Sequence, residues 1–146
     1  MSDIIKKLEI LYKELSRIRA EIVFLESQNK DVNDMIFNYI VKIVCEKENI
    51  LYNDLISSCK KQNLAFSRMM ISKLTYENSG FNLSKIAKLL GNKNHSTIIY
   101  GIKTIDNSLK LKDNIFPNYK YYEQNVKDYR DNLFNKKRDS NTAIDE

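Results

Sequence analysis

A chain of 146 residues with 42% hydrophobic and 29% charged side chains is long enough for one ordinary domain plus an appendage, and it is not compositionally disordered. Three glycines and one proline exclude a turn-rich β architecture and favour long helices in an all-α fold. The net charge of +5 is concentrated: Cys59 to Ile105 holds Lys60, Lys61, Arg68, Lys73, Lys85, Lys88, Lys93 and Lys103 against Glu77 alone, eight positive and one negative, as expected of a polyanion-binding surface.

From the N-terminus, MSDIIKKLEI lacks the apolar block and cleavage site of a signal peptide, and no later run approaches the roughly 18 apolar residues of a membrane span. A cytoplasmic protein is expected, nucleoid-associated or in a host cell. Between Asp3 and Gln28 apolar residues alternate at four- and three-residue spacing, the seam of a coiled coil. Leu8, Leu15 and Ile22 take position a, and Ile4, Leu11, Ile18 and Leu25 take d. Asn29 falls on the next a, where a buried amide fixes register. In a parallel pair Glu14 reaches Arg19 of the partner, whereas Glu21 and Glu26 repel, which leaves the orientation open. Residues 1–32 are therefore expected to form a dimerisation helix.

A second helix is predicted over Asp34 to Glu48, with Met35, Ile36, Tyr39, Ile40, Ile43 and Val44 on a wide apolar face. ENILYNDLISS predicts a short helix from Tyr52 or Asn53. A third runs from about Ala65 to Glu77 and is broken by Asn78, Ser79 and Gly80. Asn82 is placed to cap a helix to about Leu90, Gly91 supplies a turn, and another helix opens near Asn94 or His95 with Ile98, Ile99, Ile102 and Ile105 inward. Two short helices joined through a glycine, with Ala87 small enough for close approach, are the pattern of a helix-turn-helix. After Pro117, Tyr119, Tyr122, Val126, Tyr129 and Leu133 recur at helical spacing, a stripe expected to pack. Lys136, Lys137 and Arg138 then lead into a polar end, SNTAIDE, expected to fray. Residues 113–146 thus form a C-terminal helix and a basic, partly disordered tail.

Catalysis finds no support. His95 has no orienting carboxylate nearby, no G-x-S-x-G elbow occurs, and three glycines build neither a phosphate loop nor a dinucleotide fingerprint. Cys45 and Cys59 with a single histidine do not complete a zinc site and are expected to be small buried thiols. No metal, cofactor or enzymatic activity is expected. Recognition fits better: at the first turn of a helix in the major groove, Asn94, His95, Ser96 and Thr97 are short enough to reach base edges. Helix-start N–H groups and Lys93 face phosphate.

The run Gly91-Asn92-Lys93-Asn94-His95-Ser96-Thr97-Ile98, followed by Lys103-Thr104-Ile105, resembles the signature of the C-terminal DNA-binding domain of the bacterial replication initiator DnaA, G-G-R-D-H-T-T-V and then R-K-I. The resemblance extends upstream through LSKIAKLLG and the helix start at Ser67-Arg68-Met69 to the basic loop at Lys60 and Lys61, covering residues 33–112 as a domain. It implies base reading by Asn94, His95, Ser96 and Thr97, a minor-groove contact at Lys60, and backbone contacts at Arg68 and Lys93, with Lys61 and Lys103 adding charge. Asn94 stands where the family has an acid, and lysines at 60 and 93 lack the planar fork of arginine. The family's ATPase module is replaced here by the coiled-coil-like helix, which suggests a stand-alone reader of phage, plasmid or accessory origin. The expectation is a homodimeric, sequence-specific binder of double-stranded DNA at DnaA-box-like sites, regulating replication or transcription. The competing expectation is an adaptor that binds a replication protein through the coiled coil and the tyrosine-rich tail.

Overall fold

A computed structural model describes residues 2–144, without the side chains of 23–31 and 136–144. The expected roles of Leu25, Glu26, Asn29, Lys136, Lys137, Arg138 and the SNTAIDE side chains lie outside the described residues. Six helices are described: α1 (Ser2–Glu48), α2 (Tyr52–Leu55), α3 (Gln62–Asn78), α4 (Leu83–Leu89), α5 (His95–Leu111) and α6 (Tyr119–Ile144). No strand occurs among the described residues, so the fold is all-α, as the composition predicts. The chain divides into two compact units, Met1–Val32 and Asn33–Glu146.

α1 differs from the sequence expectation in having no break before Asp34. The intervening residues include neither glycine nor proline, so nothing in the backbone chemistry interrupts the ladder. In the first unit the a and d side chains from Ile4 to Ile22 are all exposed.

The second unit is built around α3, which packs on α2, α4, α5 and α6. Its Leu64, Met70, Ile71 and Leu74 are buried together with Ser67, Ser72, Lys73 and Thr75, so α3 is enclosed on more than one side. It starts three residues before the predicted Ala65, because packing of Leu64 extends the helix beyond the local signal. From α1, Ile36, Phe37, Ile40, Val41 and Val44 enter the core, whereas Met35, expected on that face, is exposed. α5 approaches α3 closely at Gly101, where a Cβ would stand 3.0 Å from Met69 Cγ. α6 closes the unit: Tyr119, Tyr122 and Val126 are buried, and Tyr129 stacks on Tyr39 at 4.1 Å with 5° between the rings. The Tyr122 hydroxyl donates to Glu48 Oε1 at 2.7 Å, and Arg130 Nη1 donates to Asn78 Oδ1 at 3.1 Å. Cys45 and Cys59 are free and half-buried, more open than expected.

Candidate nucleic-acid interface

The helix-turn-helix is assembled by local signals. Asn82 is extended and its Oδ1 accepts from the Lys85 N–H at 2.8 Å, satisfying a donor at the start of α4. α4 ends where Gly91 (φ 93°) and Asn92 (φ 56°) both turn left-handed, and the Lys93 N–H closes onto the Ala87 carbonyl at 2.9 Å. A side chain at Gly91 would overlap the Ile56 carbonyl, so the turn is seated on the segment that follows α2. Ala87 and Ile98 are buried where α4 and α5 meet.

α5 begins after Asn94, whose carbonyl accepts from the N–H groups of Thr97 (3.0 Å) and Ile98 (3.3 Å). The Asn94 side chain makes no capping bond, so it is not spent on starting the helix. Asn94, His95, Ser96 and Thr97 are all exposed, and none of their side chains has a hydrogen-bond partner among the described residues. The backbone N–H groups of His95 and Ser96 have no partner among the described residues, at the positive end of the helix dipole.

The segment between α2 and α3 is held by Arg68. Its Nε donates to the Leu55 carbonyl (2.6 Å), Nη1 to Cys59 (2.7 Å), and Nη2 to both Asp54 (3.0 Å) and Ser57 (2.9 Å). The Lys93 ammonium also donates to the Ser57 carbonyl. Burial, and then the neighbouring Arg68 charge, hold Lys93 below its ordinary pKa, while burial lowers Arg68. Two cations expected at the phosphate backbone are thus engaged in fixing the loop from which Lys60 and Lys61 project, both exposed. Between this loop and the start of α5 lies an open groove of about 480 Å³, lined by Lys60, Arg68, Lys93, Asn94, Thr97 and Tyr100 among others. His95, Ser96 and Lys61 are not in its lining, and Lys103 stands two turns further along α5, exposed.

The charge of the region is smaller than its sequence count. Lys73 is buried and paired with both Glu77 and Asp106, so it contributes no free positive charge to the surface. Tyr100 is a residue that sequence reasoning missed: it is 65% exposed and lies one turn beyond Ser96 on the same face. That i, i+4 spacing was its available signal.

Residues 37–105 match the family model for the bacterial DnaA protein helix-turn-helix. This stretch is a DnaA-type helix-turn-helix domain. The chain is 29% identical over 124 residues to the chromosomal replication initiator protein DnaA of Buchnera aphidicola subsp. Cinara cedri, covering 83% of this chain and 28% of that protein. It is 23% identical over 115 residues to DnaA of Lachnoclostridium phytofermentans (75% and 25% covered) and 24% identical over 102 residues to DnaA of Bacteroides thetaiotaomicron (70% and 22%). The chain therefore spans less than a third of the length of these relatives. No solved structure matches it. A helix-turn-helix of this type is a DNA-binding motif. Among the described residues there is no cluster of three metal-ligating side chains and no helix long and apolar enough to cross a membrane.

Proposed function

We propose that the chain is a sequence-specific binder of double-stranded DNA that places the first turn of α5 in the major groove and acts in control of replication or transcription at DnaA-box-like sites. The observation that carries this reading is the state of Asn94, His95, Ser96 and Thr97: four exposed hydrogen-bonding side chains, none committed to the protein, at the start of a helix whose opposite face is buried. Lys60 and Lys61 reach the adjacent minor groove or phosphates, and Lys103 follows the backbone along α5. Arg68 and Lys93 set the loop's position and border the groove. The protein binds as a homodimer through residues 3–32 and resides where the DNA is, in the cytoplasm or nucleoid. A tyrosine-tail adaptor is less well supported, since Tyr119 and Tyr122 are buried in the domain's own core.

Mobility-shift titration against a DnaA-box duplex, with random-library selection, tests the reading. His95→Ala is expected to lose about 1–3 kcal/mol of binding and relax specificity at one position. Asn94→Asp is expected to move the base preference at a neighbouring position without weakening the fold, since the side chain caps nothing. Equal binding of all sequences by the wild-type chain and both variants would overturn the proposal.

A further inference from the structure

Residues 4–22 of α1 carry an apolar seam with no cover among the described residues: Ile4, Leu8, Leu11, Leu15, Ile18 and Ile22 are 46–63% exposed. We propose that a second copy of the chain covers this seam in antiparallel orientation and in a single register. The inference rests on the reading of residues 3–32 as the self-association segment.

The core residues argue for the orientation. Parallel two-stranded coiled coils favour β-branched side chains at a and leucine at d. Here Leu8 and Leu15 at a and Ile4 and Ile18 at d reverse that arrangement, whereas Leu11 at d and Ile22 at a keep it. An antiparallel pair layers a against d instead. One register then pairs every exposed seam position from 4 to 22: Ile4 meets the partner's Ile22, Leu8 the partner's Ile18, and Leu11 the partner's Leu15, each twice by symmetry.

The flanks agree. In that register Lys7 stands beside the partner's Glu21 on both sides of the two-fold axis, and only Glu14 meets its own copy. In the parallel arrangement the two Glu14–Arg19 attractions are offset by two Glu21–Glu26 repulsions. Ile5 and Tyr12, 56% and 70% exposed beside the seam, also find cover. Tyr12 meets the partner's Tyr12 at the axis, and Ile5 lies along the aliphatic stem of the partner's Arg19. A parallel pair sets Tyr12 beside the partner's Lys7.

The test uses the full chain with Cys45 and Cys59 replaced by serine. Ile4→Cys and Ile22→Cys chains, mixed and oxidised, are expected to give the 4–22 disulfide between unlike chains and little of either like-chain product. Independently, Lys7→Glu and Glu21→Lys are each expected to weaken the dimer about three- to tenfold at low salt, and the double exchange to restore it. Like-chain disulfides in a sedimenting dimer would overturn the orientation and leave self-association standing. A monomer or a tetramer at micromolar concentration would overturn the proposal, and a monomer would remove the dimer as well. DNA binding by the second unit is read separately in the mobility shift.

Discussion

Asn94 shows how one residue at a helix start is left free of its own protein's hydrogen bonds. An asparagine at a helix start ordinarily turns its side chain back onto the backbone, but here the Asn94 carbonyl accepts from Thr97 and Ile98 while its side chain makes no capping bond. Arg68 is the opposite case: a cation in a basic stretch whose guanidinium binds four carbonyls of its own chain. Arg68→Ala is expected to destabilise the fold by about 2–4 kcal/mol in urea denaturation, since partly buried carbonyls lose a charged donor. Arg68→Lys is expected to recover little of this, because a point charge does not span four acceptors. If Arg68→Ala left stability unchanged while abolishing DNA binding, the guanidinium would be a DNA contact instead.

At the scale of elements, stability at high pH is set by where α3 and α6 bury their polar groups. Burial works against the Lys73 ammonium, yet hydrogen bonds to Asp106 and Glu77, and their charges, hold its pKa above the ordinary 10.5. Burial, and for Tyr122 the hydrogen bond to Glu48, push the phenols of Tyr119 and Tyr122 above the ordinary 10.0. All three pKa values are raised in the folded state. Their contribution is therefore intact below about pH 10 and is lost as the pH rises beyond it. Thermal melts followed by circular dichroism should be flat to about pH 10 and fall above it, and Tyr122→Phe should lessen the fall. What the sequence disclosed about these elements depended on range. Asn82, Gly91 and Ala87 act within a few residues, so α4, the turn and α5 were legible almost to the residue. The pairing of Lys73 with Asp106 joins α3 to α5 and left no local trace. The same holds for Arg68, whose acceptors lie 9 to 14 residues away in an irregular segment. α1 misled the reading because a change in hydrophobic pattern near Asp34 looks like a boundary, whereas the backbone needs a breaker to stop a helix.

For the whole molecule, charge counted along the chain and charge available to a polyanion are different quantities. Lys60 and Lys73 are equal in the sequence, but Lys60 is exposed and Lys73 is enclosed between two carboxylates. The salt dependence of DNA binding separates them. Lys60→Ala is expected to reduce the slope of log affinity against log salt by about one if the side chain meets a phosphate. Lys73→Met is expected to leave that slope unchanged while lowering stability, since it removes one partner and leaves the Glu77 and Asp106 carboxylates without their cation. A slope that fell equally for both would mean that Lys73 leaves its carboxylates when DNA arrives.

The segment from Asp54 to Cys59 has one further consequence. Arg68 grips it, Lys93 ties to Ser57, and the Gly91 turn rests on Ile56. The basic loop and the start of α5 are consequently two jaws of one caliper with a fixed gap. Transplanting α4 and α5 alone into another protein would carry the tip but not the gauge, and lengthening this segment by one residue would shift both jaws at once. Any portable form of this helix-turn-helix therefore has to include α2, well ahead of α5, together with the core residues that α1 supplies.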